Sequence, residues 1–189
     1  MNDIKIILAS QSPRRKQLLE QIGIFPICKP VDIDETKQDF ETPLQYCKRL
    51  ALEKAQAGWN QSDKTTAVLG SDTIVVLNDK TLGKPKNEED ALNMLSMLSG
   101  NIHQVMTAVS LVTDKIKKTI VSISDVEFRV LEEDKIRKYI ASKEPMDKAG
   151  SYAIQGLAAK WIKNISGSYS GIMGLPLYET SQLIEKIHE

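Results

Sequence analysis

The chain has 189 residues, 41% of them hydrophobic, which suits one domain of moderate size with a real core. Its 25 lysines and arginines balance 25 aspartates and glutamates, so there is no basic surplus of the kind that marks a general nucleic-acid or anionic-membrane binder, and any phosphate recognition has to come from local placement. Two cysteines, Cys28 and Cys47, make neither a metal motif nor a disulfide framework, and His103 and His188 stand apart; a zinc site and a histidine-centred triad are disfavoured, leaving acid–base chemistry to carboxylates and lysines.

Residues 4–23 open with an apolar run, Ile6, Ile7, Leu8 and Ala9, that stops at Ser10, Gln11 and Ser12, as a buried strand does when it leaves its sheet. A helix is predicted at once, with Ser12 as N-cap, Pro13 at the first helical position, Leu18, Leu19 and Ile22 on the apolar face and Gly23 at the end. Arg14 and Arg15 fall in its first turn, where the helix dipole disfavours cations. Either a phosphate resolves that conflict, since helix N-termini and guanidinium groups both bind anions, or the two arginines pair with carboxylates or water at the surface.

Residues 24–31 read as a short edge strand because they contain two prolines. Asp32, Asp34 and Glu35 then form an acidic turn that is either solvated or neutralised by a cation. A helix is predicted from Pro43, with Leu44, Cys47, Leu50, Ala51 and Ala55 at helical spacing and Lys54 beside them, free to snorkel outward or to reach into a cleft. Residues 66–77 read as a buried strand interrupted at residues 70–73 by Gly70, Ser71, Asp72 and Thr73. A carboxylate amid such apolar neighbours is expensive to bury, which points to a task for Asp72 rather than to a capped bend. Asn78 and Asp79 mark a turn, and Lys84 sits in a loop restrained by Gly83 and Pro85.

Asn87 caps a predicted helix through Leu98 whose early acids agree with its dipole. Residues 103–113 and 118–130 read as a long hairpin, 132–141 as a helix, 147–156 as a shaped loop, 161–165 as a short strand and 177–187 as an amphipathic helix. The chain contains no repeat, no linker long and polar enough to divide it, and no apolar run that approaches a membrane span. A reducing cytoplasm is the simplest setting.

Several motifs stand in fixed order: LASQSPRR at 8–15, DIDE at 32–35, RLALEKA at 49–55, GSDTIVV at 70–76, LGKP at 82–85, DKAGSYAIQG at 147–156 and GLPLYE at 174–179. Together they resemble the Maf family of nucleoside triphosphate pyrophosphatases over nearly the whole chain. The resemblance implies one α/β domain with a long twisted mixed sheet and flanking helices, two lobes around a cleft, similar to inosine triphosphate pyrophosphatases. It implies hydrolysis between the α and β phosphates of a nucleoside triphosphate with a divalent metal, Mg²⁺ or Mn²⁺. A late loop reading KAGSYAIQG implies dTTP and UTP as substrates, whereas the branch acting on 7-methyl-GTP carries Glu where this chain has Gln155. It further implies a cytoplasmic homodimer connected with arrest of cell division or septum formation.

Carried over by motif, Asp72 takes the place of the catalytic carboxylate and, with Glu35, of the metal ligands. Arg14, Thr73 and Gln155 fall at positions that govern substrate choice, and Ser10, Ser12, Arg15, Lys54 and Lys84 at positions that bind phosphate. Ser170 and Gly171 stand at variable positions before GLPL, which leaves the shape of that cleft wall open. The Gln155 amide can donate to O4 of uracil or thymine and accept from the N3 hydrogen, but turned over it suits cytosine equally, so something nearby has to fix it. Two other readings compete. One is a nucleotide-binding regulator of septum formation that acts through protein contacts, which need not retain Asp72 and Glu35. The other is a nucleic-acid module built on Arg14, Arg15 and Lys16, which lacks interleaved aromatics. The expected partners are therefore the nucleotide and a second copy of the chain, with no membrane and no stable nucleic-acid complex.

Overall fold

The computed structural model describes residues 5–188; Ile4 and the side chain of His188 lie outside the described residues. Among the described residues, seven strands form one mixed sheet: β1 (Ile6–Leu8), β2 (Ile27–Cys28), β3 (Ala67–Leu77), β4 (Lys80–Leu82), β5 (Ile102–Val112), β6 (Lys117–Phe128) and β7 (Ile162–Ser166). Their order is β2–β1–β3–β5–β6–β7, with β4 also on β3, and the sheet is not closed. β1 runs parallel to both β2 and β3, and every other pair is antiparallel. The helices are α1 (Pro13–Gln21), α2 (Pro43–Asn60), α3 (Glu88–Leu98), α4 (Glu133–Ala141), α5 (Tyr169–Met173) and α6 (Leu177–Glu185).

The sheet is buried on both faces, so its central strands are apolar at consecutive positions, and alternation decides which helix each residue meets. On one face Ile7, Val68 and Val112 meet Ala55 and Trp59 of α2, while Ile74, Val76, Met106 and Ala108 meet its Cys47 and Ala51. A capping box starts α2: Gln45 N–H donates to Thr42 Oγ1 at 3.2 Å and Thr42 N–H donates to Gln45 Oε1 at 2.9 Å. Gly70 lets this helix lie directly on β3, because a Cβ there would collide with the backbone of Ala51 and Ala55.

The other face carries two separate clusters. Leu18 and Leu19 of α1 join Leu183 and Ile184 of α6 over Ile6, Leu8, Leu69, Val109 and Leu111. Leu92, Leu95 and Leu98 of α3 join Ile136 and Ile140 of α4 over Val75, Leu77, Val105, Val126 and Phe128.

Most of the predicted elements are present, with three differences. The strand at residues 67–77 is unbroken, not interrupted at 70–73: β5 pairs with it from Val68 to Val76. Its polar residues find partners without leaving the sheet, as Ser71 Oγ donates to the Gly174 carbonyl at 3.1 Å and Thr107 Oγ1 donates to Thr73 Oγ1 at 3.0 Å. Lys80–Leu82 pairs back on β3 as a strand, through a two-residue turn in which Asn78 and Asp79 both take positive φ, at 49° and 60°. The short α5 precedes the last helix where no helix is predicted.

Candidate active site

Neighbours of β3 change along one of its edges. β1 pairs with it as far as Leu69, β4 joins at Val75, and residues 70–74 between them have no strand partner on that side. A cleft of about 940 Å³ opens along this gap. Consecutive side chains of the strand face opposite sides of the sheet, so Asp72 lies on the α2 side and Thr73 on the α5 side, both at the same opening.

Asp72 is 7% exposed. Its Oδ1 lies 2.7 Å from Lys54 Nζ, which lies 2.7 Å from Glu35 Oε1 on its other side. Lys54 therefore turns into the cleft, and its α2 position places it over the gap one turn beyond Leu50. Burial pushes the Asp72 carboxyl above its ordinary pKa, against the opposing charges of Lys54 and Arg15. Burial also acts to raise Glu35, but the hydrogen bond and charge of Lys54, with Lys84 and Arg15, hold it below its ordinary value. The result is a hidden carboxylate with raised proton affinity next to an exposed one that stays ionised.

The acidic turn thus divides its residues. Asp34 closes the loop by accepting from Thr36 N–H at 2.9 Å, while Glu35 reaches the ion pair. Arg15 is held by three groups: Nε donates to the Gly174 carbonyl at 2.8 Å, and the two terminal nitrogens donate to Ser10 Oγ at 3.2 Å and Thr73 Oγ1 at 3.3 Å. None of the three partners is charged. Burial lowers the Arg15 pKa and the charge of Asp72 opposes the shift; the guanidinium lines the cleft beside the start of α1, bonded to neutral oxygens rather than directly to a carboxylate. Gly174 supplies its carbonyl from a backbone at φ 122°, a conformation that favours glycine. Gly174, three residues beyond Gly171, is thereby part of the seat of Arg15, while Ser170 and Gly171 themselves do not line the cleft. Ser12 begins α1 as predicted, but its side chain makes no capping bond, and its N–H donates to Ser10 Oγ at 3.1 Å.

Ser10, Ser12, Arg14, Arg15, Glu35, Lys54, Asp72, Thr73, Lys84 and Gln155 all line this one cleft. Residues 5–187 match the family described as Maf-like protein. The chain belongs to that family. Similar proteins include a dTTP/UTP pyrophosphatase of Vibrio parahaemolyticus, 50% identical over 184 residues and 97% of each chain. Another, of Pseudoalteromonas atlantica, is 49% identical over 185 residues and 96% of each chain. Among solved structures, the Staphylococcus aureus Ham1 protein has a partial likeness, with a TM-score of 0.47 and 19% identity over 66% of this chain and 71% of that one.

Two lining residues of this Maf-like protein carry no role in the motif reading. The Tyr46 hydroxyl donates to the Glu35 carbonyl at 2.7 Å and so ties the acidic loop to α2. Tyr46, Leu50 and Lys54 all line the cleft at intervals of four, a helical stripe that is visible in the sequence once Lys54 is known to point inward. Lys148 lies within the DKAG motif and pairs with Asp147; its side chain is mostly buried in the same wall. Among the described residues no helix is long and apolar enough to cross a membrane.

Proposed function

We propose that this chain is a nucleoside triphosphate pyrophosphatase that hydrolyses dTTP and UTP to the monophosphate and pyrophosphate. The observation that carries the reading is the Glu35–Lys54–Asp72 array at the strand gap, facing Arg15 in a cleft large enough for a nucleotide. The names of relatives about half identical over nearly the full chain support the choice of substrates.

In the reaction a water oxygen bonds to the α-phosphorus, the bond from that phosphorus to the α–β bridging oxygen breaks, and pyrophosphate departs with the electron pair. Asp72 accepts the proton that the water gives up, a role its raised proton affinity suits. Arg15, Lys54 and Lys84 offset the charge on the phosphate oxygens, and Arg15 can do so through a guanidinium whose hydrogen bonds go to neutral oxygens. Gln155 reads the base from the turn at residues 153–156, and Arg14 and Thr73 border the same space.

The residues also suit a divalent metal. A cation, the Lys54 ammonium, already sits between the Glu35 and Asp72 carboxylates, and no group of three or more His, Cys, Asp or Glu gathers among the described residues. Two carboxylate oxygens completed by phosphate and water are what Mg²⁺ or Mn²⁺ accepts. Bound there, the ion would polarise the phosphate oxygens and lower the pKa of water.

The test is product analysis on a panel of nucleoside triphosphates, including CTP and 7-methyl-GTP, with Mg²⁺ or Mn²⁺ in ¹⁸O-labelled water. The expected result is pyrophosphate and labelled monophosphate from dTTP and UTP. Label in pyrophosphate, release of single phosphate, or no turnover by folded protein would overturn the reading.

A further inference from the structure

Gln155 lies in a tight turn with no strand to support it: Gly156 N–H donates to the Ala153 carbonyl at 3.1 Å, which places Gln155 at the third position of residues 153–156. Both flanks of that turn are held from behind by two side chains of the α4 region. Ala153 N–H donates to the Tyr139 hydroxyl oxygen at 3.2 Å. Leu157 N–H donates to the Glu144 carboxylate, 3.1 Å from one oxygen and 3.2 Å from the other. The Tyr139 hydroxyl donates to Glu144 Oε1 at 2.8 Å and so joins the two supports. Tyr139 is itself fixed, 4% exposed and edge-on to the buried Trp161 with centroids 4.9 Å apart.

From this geometry we infer that Glu144 and Tyr139 are positioning residues for base selection: they hold the turn that presents Gln155 to the cleft. The inference rests on the proposed nucleotide chemistry and supplies what the Gln155 amide lacks, a fixed point of attachment. A main chain that does not shift sets the place and direction from which the amide meets the base; its two-fold χ3 is then decided by the groups it meets there, and without that fixed placement neither orientation is selected. Gly156 belongs to the same device, because a Cβ there would overlap the Glu144 carboxylate and force it off Leu157 N–H. Glu144 lies on the far side of the turn, does not line the cleft, and acts only through the backbone it holds.

The experiment compares kcat and KM for UTP and CTP in wild type, Glu144→Ala, Glu144→Gln, Tyr139→Phe, Gln155→Ala and the double variant Glu144→Ala/Gln155→Ala. It adds residue-resolved amide exchange at Ala153 and Leu157 without nucleotide. Glu144→Ala is expected to raise KM for UTP and lower the UTP/CTP selectivity about tenfold, with kcat within about twofold, the scale of one lost hydrogen-bond anchor. It should cost nothing further in the Gln155→Ala background, since both act through one amide. Glu144→Gln keeps an acceptor oxygen for Leu157 N–H and should recover most of the selectivity. Amides 153 and 157 should exchange at least about tenfold faster in Glu144→Ala. Should Glu144→Ala not fold, Tyr139→Phe removes a single oxygen and carries the same comparison.

A UTP/CTP ratio equal to that of wild type, or additive losses in the double variant, would overturn the inference, as would unchanged exchange at both amides. A wild type that hydrolyses no nucleoside triphosphate would instead overturn the proposed function, and the exchange rates would still decide whether the clamp holds the turn.

Discussion

The two walls of the cleft are built by different means. The charged wall draws its groups from regular elements: Asp72 from a central strand, Lys54 from the helix packed on it, and Arg15 from the first turn of α1. It is held together by direct ion pairs and by a guanidinium seated on backbone and hydroxyl oxygens. The wall that carries Gln155 has no regular element at the contact, only short 3₁₀ turns around Glu144–Asp147, Ala149–Ser151 and Leu157–Trp161, pinned by hydrogen bonds from behind. Charge neutralisation is long-ranged, and in the proposed reaction a strand and a helix would supply it for any base. Base recognition depends on short hydrogen bonds, and a clamped turn can differ in sequence without disturbing the sheet.

Loss of Asp72, Lys54 or Arg15 from the first wall should therefore scale turnover of every substrate alike, and changes to the second should alter the ranking. The largest effect is expected for Asp72→Asn, which should reduce kcat by about a hundredfold to ten-thousandfold for UTP and CTP together, read by pyrophosphate release. Its folded state should be no less stable at neutral pH. Burial raises the folded pKa of Asp72, so stability is lost as the pH rises from the unfolded carboxyl's value of 3.8 through the folded one, and the amide removes that loss. Lys54→Met comes next. The charge of Lys54 opposes the rise in the Asp72 pKa, so its loss should move the acid limb of the kcat/KM profile to higher pH; a limb that stays in place would detach Asp72 from that limb.

Each wall also covers a buried titratable group, and these predict smaller, separable effects. Under the Gln155 wall, His103 bonds the Tyr152 hydroxyl at 2.8 Å, and burial pushes its pKa down to about 4. In the unfolded chain it titrates near 6.5, so the stability gained from its neutral form is complete above that pH and is lost as the pH falls from 6.5 toward 4, in total about 3 kcal/mol. Denaturant melts across that range should show the loss in wild type and a shallower slope in His103→Gln. Under the charged wall, the Cys47 thiol lies 3.4 Å from the carbonyl oxygens of Asp72 and Met106, and burial pushes its pKa up to about 12. A thiol reagent should label the exposed Cys28 promptly in native protein and Cys47 only on unfolding. Prompt labelling of Cys47 would mean that α2 lifts from β3.

Sequence made the first wall far more legible than the second. Helix caps at Ser12 and Asn87, the helical spacing from Pro43 and the apolar runs of the central strands are local signals, and they place the starts of α1, α2 and α3 and the ends of β3 within a residue or two. The apparent break at residues 70–73 misleads because small polar residues are turn formers in isolation, whereas here nine successive pairings with β5 carry the strand through. The three-residue β4 and the five-residue α5 are too short for a periodic pattern. Lys54 stays ambiguous in the sequence because its direction depends on Glu35 and Asp72, each 18 or 19 positions away. The Glu144 clamp has no local signature, since Glu144 meets a backbone N–H 13 positions further on and a phenol in the preceding helix, and that phenol meets a backbone N–H 14 positions beyond itself.

The division of labour between the two walls is tested most directly by kcat/KM for UTP and CTP in Asp72→Asn and Gln155→Ala, side by side with wild type. The expected result is that Asp72→Asn lowers both values by the same large factor and leaves their ratio unchanged, while Gln155→Ala keeps kcat for UTP and brings the ratio toward one. Wild-type turnover in Asp72→Asn, or a ratio untouched in Gln155→Ala, would contradict it.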